Sequence, residues 1–349
     1  MVRYSVIIAV CILGALVGCK QKEKEPFLEQ PQEITLEGKI LNFHDTHSKI
    51  EAVISDIGFG SKRFVGSLDK DQKFIFHYNS YAPNEILLKT ALDSFFIIAH
   101  PGDHIYFEYD ISKHTYGLQD AVHFSGDRAE DNNDIIKFQD MARAKHIDEE
   151  KIKGAMVSLV PEAFTSFLAI GLMDKTGLYY QYNAQEGLDE ELKGWTYHYI
   201  KRPLNQYMAM FETEHALKNK LQEDWKVPTD FYDYQKEFFS LKKEHVVSSY
   251  HLNLAIEEIS EGYLSSRLAK EETPSQDNNE KVLQGIIKYI ENPLLKQLML
   301  TYQLNKRFLE KEDYQSFKKH EDLVLTHITE PYLLHPLQEK YNAIVKKTQ

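Results

Sequence analysis

Short apolar segments with partial two-residue alternation follow one another through the first third of the chain. They are rich in aromatic and β-branched residues, which is typical of strands. The clearest segments span residues 34–40, 74–78, 85–88, 94–98 and 104–109. Turn residues separate them at roughly ten-residue spacing, as in Gly58-Phe59-Gly60, Ala82-Pro83-Asn84 and Pro101-Gly102-Asp103. Roughly seven or eight such strands without intervening helices predict an antiparallel β-sandwich over residues 33–126.

The pattern changes after Gly126, where glycine becomes scarce and apolar residues recur three and four positions apart. This spacing is typical of helices that bury one face, and Pro161 and Pro293 occupy positions that suit a first helical turn. The predicted helices span residues 129–145, 161–174, 187–219, 229–245, 247–270, 277–291, 293–310, 312–327 and 331–346. We therefore predict an α+β fold, in which an N-terminal antiparallel β-sandwich is followed by an irregular all-helical domain over residues 127–349. No repeat of about 20 to 50 residues is visible, so a solenoid is not predicted.

A nearly unbroken apolar run from Val6 to Val17 follows the positive charge of Arg3. Such a run is typical of a secretory signal peptide, and it is shorter than the roughly 20 residues that span a bilayer. The run ends in Leu16-Val17-Gly18-Cys19, which resembles the lipobox of bacterial lipoproteins. The resemblance implies a signal peptide over residues 1–18 and lipidation of Cys19, so that acyl chains would hold the protein on a membrane. The alternative is a plain signal peptide followed by a coincidental cysteine.

The chain contains only two cysteines, Cys11 and Cys19. Cys11 lies within the predicted signal peptide, and the sulfur of Cys19 would carry lipid. A mature chain without a free thiol argues against cysteine proteases, thiol redox enzymes, iron–sulfur proteins and cysteine-ligated zinc sites, because each requires a thiolate.

The distribution of charge bears on partners. Residues 19–32 mix both signs with Pro26 and Pro31 and show no apolar period, so we interpret them as a lipidated tether. The whole chain carries a formal net charge of −12, and its few basic clusters have acidic neighbours. Nucleic-acid binding requires clustered Lys and Arg that neutralise phosphates, so nucleic acid is not predicted as a partner.

Two groups of residues were considered as metal ligands. His44-Asp45-Thr46-His47 offers two imidazoles and a carboxylate, but a third protein ligand is not evident and a solvated turn is favoured. Asp127, Glu130, Asp131 and Asp134 suggest calcium, but they lack the spacing of an EF-hand loop. An acidic first helical turn explains them as well. No metal site is predicted.

Catalytic patterns are also lacking. Glu257, Glu258 and Glu261 are neighbours on one predicted helix, whereas the two carboxylates of a glycosidase converge across a cleft. The chain has no Gly-x-Ser-x-Gly elbow, Walker loop or dinucleotide fingerprint. No catalytic residue and no cofactor are predicted.

Aromatic residues are abundant, with 21 tyrosines and 19 phenylalanines. The runs at residues 179–182, 195–199 and 231–234 fit either a helical core or a groove for a glycan, a peptide or a protein partner. Core is the favoured interpretation, and residues 179–182 are the run most expected to be exposed.

Several positions together resemble a specific family. They are Leu36-Glu37-Gly38-Lys39-Ile40, residues 68–76, Pro101-Gly102-Asp103-His104-Ile105, and Phe124-Ser125-Gly126 followed by Asn132 and Asn133. The N-terminal part resembles the DUF4369 β domain, which precedes a thioredoxin-fold domain in many Bacteroidetes lipoproteins of the TlpA or AhpC/TSA type. The helical part is similar to the region that joins those two domains. Gln72 stands where the family usually has glycine, which leaves the turn type at that position open.

The resemblance implies a cell-envelope protein, but it does not bring the family's activity with it, because the chain lacks the redox Cys-x-x-Cys. We expect a membrane-anchored, non-enzymatic binding or interaction module, with an unknown envelope protein, peptide or glycan as its partner. The alternative is the front portion of a split or truncated thiol-disulfide oxidoreductase whose thioredoxin-fold part is encoded separately. Lys20 rather than aspartate follows Cys19, which favours the outer membrane, at its periplasmic face or at the cell surface.

Overall fold

The computed structural model describes residues 26–43, 49–90, 92–145, 147–185, 188–222, 224–270 and 277–348. The predicted signal peptide, Cys19 and the histidine pair at residues 44–47 lie outside these ranges. Lipidation of Cys19 and the choice between a metal site and a turn at residues 44–47 therefore remain predictions.

The N-terminal part is a sandwich of two four-stranded sheets. Its strands are β1 Gln32–Leu41, β2 Lys49–Asp56, β3 Gly60–Ser67, β4 Lys73–Ser80, β5 Asn84–Lys89, β6 Ser94–Ala99, β7 His104–Asp110 and β8 Val122–Gly126. One sheet has the order β4-β1-β7-β8 and the other the order β3-β2-β5-β6. The predicted β-sandwich is confirmed, and every strand pair is antiparallel except β1 and β7, which run parallel.

Side chains from the two sheets meet in an apolar layer. Leu36 and Phe107 of one sheet and Ile86 and Phe95 of the other are fully buried there, and the rings of Phe95 and Phe107 meet edge to face at 5.9 Å. This alternation of buried and outward residues is the physical basis of the strand prediction. Gly38 leaves room for the aromatic rings, because a Cβ there would lie 2.5 Å from Phe74 and 2.8 Å from Phe107.

The turn before β4 contains Gln72, the position whose turn type the sequence left open. Gln72 has a φ of 60°, so the backbone keeps the left-handed conformation that glycine favours. The Asp69 carboxylate supports this turn by accepting hydrogen bonds from the amides of Asp71 and Lys73, both at 2.8 Å.

Helices form the remainder of the described chain. The α-helices are α1 Leu118–Ala121, α2 Ala129–Arg143, α3 Glu149–Ser158, α4 Pro161–Gly171, α5 Met173–Asn183, α6 Glu190–Asn219, α7 Ser249–Ile259, α8 Ser265–Leu268, α9 Asn278–Tyr289, α10 Pro293–Leu304, α11 Tyr314–Leu325 and α12 Pro331–Thr348. Short 3₁₀ segments span Ile111–Tyr116, Thr229–Ser240 and Lys243–Ser248, and π turns span Ser260–Leu264 and Asn305–Leu309. The predicted α+β class is confirmed.

The helix predictions were wrong in three respects. Helix α3 was not predicted, although Asp148 caps it and Ile152, Ala155 and Met156 form its buried face. The segment predicted as a helix over 161–174 ends at Gly171, and α5 follows as a separate helix. Residues 229–245 form 3₁₀ segments rather than an α-helix. The buried residues Tyr232, Gln235 and Phe238 recur every three positions, which is the period of a 3₁₀ helix.

Helix α2 connects the helical part to the sandwich through side-chain hydrogen bonds. The Asn132 carboxamide bonds both backbone groups of Ile98, at 2.8 and 3.0 Å, and Gln139 bonds both groups of Phe96 in the same way, at 2.9 and 2.8 Å. Since β6 is an edge strand, these amide side chains satisfy groups that a neighbouring strand would otherwise pair. The helices thus form a third layer on the β3-β2-β5-β6 sheet.

The first described residues are bound to both parts of the molecule. The Leu28 amide donates to the Tyr81 carbonyl at 2.8 Å, and His335 Nδ1 bonds the Glu29 carbonyl at 2.8 Å. The ring of Phe27 lies 4.7 Å from that of Tyr332. Among the described residues, no helix has both the length and the apolar character needed to cross a bilayer.

Candidate functional site

A cavity of about 390 Å³ lies between the sheet and the helical layer. It is bounded by β6 and by α5, α6 and α7. Its lining residues are Phe96, Lys175, Tyr199, Ile200, Arg202, Pro203, Gln206, Tyr250, His251 and Leu254. Apolar and aromatic walls with a few polar groups are typical of small-molecule sites.

A buried carboxylate, Glu85 of β5, holds one wall of this cavity in place. Its side chain has no exposed surface, and it accepts hydrogen bonds from Trp195 Nε1 at 2.8 Å and from the amides of Tyr250 and His251 at 3.1 and 3.3 Å. Those amides belong to the first turn of α7, where the helix dipole favours a negative charge. A fully buried carboxylate persists only when donors surround it in this way.

The His251 imidazole is oriented by the same carboxylate. Its Nδ1 lies 2.8 Å from Glu85 Oε2, and because a carboxylate accepts, this nitrogen carries the proton. The ring packs against Phe96 at 4.9 Å, which fixes its plane. Within the described ranges, Nε2 has no hydrogen-bond partner, so it is available to a molecule in the cavity.

Two cationic side chains line the opposite wall. Lys175 of α5 is half-buried, and burial lowers the pKa of its ammonium group. No carboxylate of the described chain pairs with it. Arg202 of α6 forms an ion pair with Glu258, whose pKa is raised by burial in spite of the arginine charge. Among the residues that the structure describes, the wall therefore carries one paired and one unpaired positive charge.

Pro203 interrupts the backbone hydrogen bonds of α6 beside the site. It lies inside α6 and has no amide hydrogen, so the carbonyl of Tyr199 one turn earlier loses its α-helical donor. Both residues line the cavity. The Tyr199 ring stacks on Trp195 with centroids 5.0 Å apart, which places a tryptophan directly behind the cavity wall.

The acidic residues considered for calcium do not converge. Asp127 accepts from the His104 amide at 2.9 Å, and Asp131 pairs with Arg128 at 3.0 Å. Glu130 and Asp134 lie on α2, which begins at Ala129. Among the described residues, no three His, Cys, Asp or Glu side chains are grouped so that they could hold a metal ion.

Two of the three glutamates that could form an acid/base group have separate partners. Glu257 pairs with Lys306 and Glu258 with Arg202, so the two adjacent carboxylates bond to different helices. Glu261 follows within the π turn. Their arrangement is that of ion pairs between helices rather than of a catalytic pair across a cleft.

The aromatic runs divide between core and surface. Tyr180 is 67% exposed, whereas Tyr182 is 2% exposed, so the run at residues 179–182 is exposed at one position and core at another. Trp195 is fully buried, but Tyr199 of the same run reaches the cavity.

Sequence reasoning missed Glu85, His251, Lys175 and Arg202 as a group. Glu85 and His251 are 166 positions apart, and no local spacing relates them. One signal was present: Glu85 directly precedes the apolar Ile86-Leu87-Leu88, and a charge at the edge of a buried strand requires a partner from elsewhere. Comparisons with protein families, curated proteins and solved structures found no match to this chain.

Proposed function

We propose that this protein is a non-catalytic binding module of the cell envelope that takes up a small organic anion with an apolar body. The observation that carries the proposal is Lys175, a half-buried cation without an ion pair in the described chain, in the wall of a cavity that also holds Arg202 and His251. An anionic ligand would supply the missing counter-charge, and the partial burial of the Lys175 ammonium group would reduce the screening of their attraction by water.

The rest of the cavity supports the same class of ligand. Phe96, Tyr250 and Leu254 provide apolar contact area, while the imidazole held by Glu85 provides a fixed polar group. Fixing a polar group before binding reduces the entropy lost when a ligand is ordered. The surrounding protein is acidic, so the attraction for an anion is local to this wall rather than a long-range effect of net charge.

Binding can be measured with the full-length protein in a zwitterionic detergent. The chain has two tryptophans, and in a Trp225→Phe background the fluorescence reports Trp195 behind the cavity. Phenylacetate is a suitable anionic probe, with phenylacetamide as its neutral counterpart. We expect a saturable change with phenylacetate and a dissociation constant at least about tenfold higher for phenylacetamide, equivalent to about 1.4 kcal/mol.

The matched variants are Lys175→Gln and Lys218→Gln. Lys218 is exposed near the end of α6 and does not line the cavity. Loss of phenylacetate binding in the first variant and its retention in the second would support the site. Equal affinity for acid and amide, or no saturable change with either, would contradict it.

We further propose that lipid on Cys19 anchors the module to the outer membrane. The support is the sequence Leu16-Val17-Gly18-Cys19 after an apolar run. Labelling cells with a radioactive fatty acid should mark the wild-type protein and leave a Cys19→Ser variant unlabelled. A reactive thiol at position 19 in the purified native protein would contradict the anchor.

A further inference from the structure

A second crevice, of about 280 Å³, lies on the opposite side of the contact between sandwich and helices. It is bounded by the β2–β3 turn, by the residues between β4 and β5, and by α12. Its lining residues are Pro31, Asp56, Ile57, Phe59, Lys62, Asn79, Ser80, Tyr81, Ala82, Asn84, Tyr332, Pro336, Glu339 and Lys340. None of them belongs to the cavity described above.

Every charged side chain in this crevice already has a partner. Asp56 pairs with Lys62 at 2.8 Å. Glu339 accepts from the Tyr81 hydroxyl at 2.6 Å, and Lys340 Nζ donates to Asn305 Oδ1 at 2.7 Å. Lys340 has a neutral amide as its partner and no ion pair in the described chain, but the two acids and two bases together leave the lining without net charge. The crevice as a whole therefore favours a ligand of neither sign.

Two uncharged polar groups in the same crevice lack partners. Asn84 is 1% exposed and Tyr332 is 2% exposed. Asn84 Nδ2 donates to the Ser55 carbonyl at 3.2 Å, but its Oδ1 and the Tyr332 hydroxyl have no hydrogen-bond partner among the described residues. Buried polar groups are nearly always hydrogen-bonded, so one orphan acceptor and one orphan hydroxyl point to a ligand that can both donate and accept.

Aromatic residues complete the lining. Phe59, Tyr81 and Tyr332 are among its residues, and Lys340 Nζ lies 4.7 Å from the centre of the Phe59 ring. Flat apolar faces beside neutral hydrogen-bonding groups suit a ring that is apolar on its faces and hydroxylated at its rim. We propose that this crevice binds a neutral sugar ring, with Asn84 and Tyr332 as the groups that recognise its hydroxyls.

Ligand-observed NMR on the full-length protein tests this proposal. The protein must be kept in lauryldimethylamine oxide, because detergents with sugar headgroups would compete for the site. Glucose, galactose, mannose and N-acetylglucosamine are the neutral probes, and glucuronate and glucosamine are charged counterparts of similar size. We expect saturable binding of at least one neutral sugar and at least tenfold weaker binding of the charged ones.

Two variants separate recognition from folding. Tyr332→Phe keeps the ring and removes only the orphan hydroxyl, so we expect about a tenfold rise in the dissociation constant with an unchanged or higher melting temperature. Tyr116→Phe, at a tyrosine that is 75% exposed, is the control and should change neither. A purely structural role for the hydroxyl would show as a lower melting temperature with unchanged sugar binding.

No binding of any neutral probe, or equal binding of charged and neutral sugars, would overturn the proposal. Binding of a free monosaccharide indicates a soluble ligand, whereas binding confined to oligosaccharides that end in the same sugar indicates a polymer terminus. Either result supports the neutral-sugar chemistry. Phenylacetate titrations probe the other cavity, so failure of one proposal does not decide the other.

Discussion

Glu85 is the residue on which the junction between sheet and helices depends most. Its carboxylate accepts hydrogen bonds from Trp195, Tyr250 and His251, and it has no contact with solvent. A carboxamide in place of this carboxylate would put an NH₂ donor next to the donors that surround it. In a buried site such a mismatch lowers the free energy of unfolding by about 1–3 kcal/mol, and by more where the site is charged.

We therefore expect Glu85→Gln to lower the free energy of unfolding by about 3 kcal/mol, as measured by urea denaturation. Glu291→Gln, at an exposed position, is the matched control and should change it by less than about 0.5 kcal/mol. A Glu85→Gln protein as stable as the wild type would show that the carboxylate is not the anchor described above.

A buried histidine should make stability depend on pH. Burial, followed by the charges of His245 and His251, lowers the pKa of His198 well below its ordinary value of 6.5. The unfolded chain therefore takes up a proton as the pH falls through about 6.5, whereas the folded protein does not. The stability contributed by neutral His198 is complete above that pH and is lost below it, with a slope of at most about 1.4 kcal/mol per pH unit.

Denaturation curves between about pH 7.5 and about pH 5.5 test this expectation, because these limits lie about one unit either side of the ordinary histidine pKa. His198→Gln should flatten the pH dependence, and His123→Gln, at an exposed position, should leave it unchanged. If the wild type and His198→Gln show the same slope, His198 does not stay neutral in the folded protein.

The residues of the candidate sites were the features that the sequence predicted least well. The expectations about classes such as thiolate enzymes depend only on whether a residue type is present in the sequence. Lys175, Arg202 and His251 come together only when three separate helices pack. Neither the spacing of residues nor the composition of the chain predicts that packing. Asn84 and Tyr332 are similar, since only the folded structure shows which buried polar atoms lack partners.

At the scale of elements, close packing of α6 depends on glycine. A Cβ on Gly194 would lie 2.7 Å from His245 Cδ2 and 3.3 Å from its Cα, so the helix can approach the Lys243–Ser248 segment only without a side chain there. Gly154 of α3 has no neighbour within 4 Å of the same position.

These two glycines give a matched pair of substitutions. We expect Gly194→Ala to destabilise the protein by about 1–3 kcal/mol, because overpacking outweighs the gain in helix propensity. Gly154→Ala should stabilise it by about 0.5–1 kcal/mol, since only the propensity changes. Thermal unfolding of both variants measures the difference, and a stabilised Gly194→Ala would contradict the close approach.

Element predictions succeeded where the apolar period was long and clear. Five of the eight strands, β1 and β4 to β7, were located in advance from their alternation, and so were the helices that begin at Pro161, Pro293 and Pro331 from their helix-start signals. Helix α3 was missed because it has only ten residues and no proline in its first turn, whereas Pro161 marks the start of α4. The parallel pairing of β1 with β7 could not have been predicted, since it depends on how distant strands are ordered in the sheet.

At the scale of the whole molecule, sandwich and helices share one continuous interface. The Asn253 side chain of α7 accepts from the Gly58 amide and donates to the Asp56 carbonyl, both at 2.9 Å, and Asn305 donates to the Phe59 carbonyl at 3.2 Å. The β2–β3 turn is thus held by two separate helical segments. Bonds of this kind make independent unfolding of either part costly.

We expect a single cooperative unfolding transition in differential scanning calorimetry. At about 0.7 kcal/mol per residue, its enthalpy should be on the order of 200 kcal/mol, and it should equal the van't Hoff value. Two resolved peaks would show that the sandwich and the helices unfold independently.

Because Phe27, Leu28 and Glu29 are bound to the folded protein, they limit its distance from the proposed lipid anchor. Eight residue steps separate Cys19 from Phe27, and a fully extended chain spans at most about 3.5 Å per step. The point of attachment, on the rim of the Tyr332 crevice, would then stay within about 28 Å of the bilayer. A sugar on the surface of the same membrane would therefore lie within reach of the crevice.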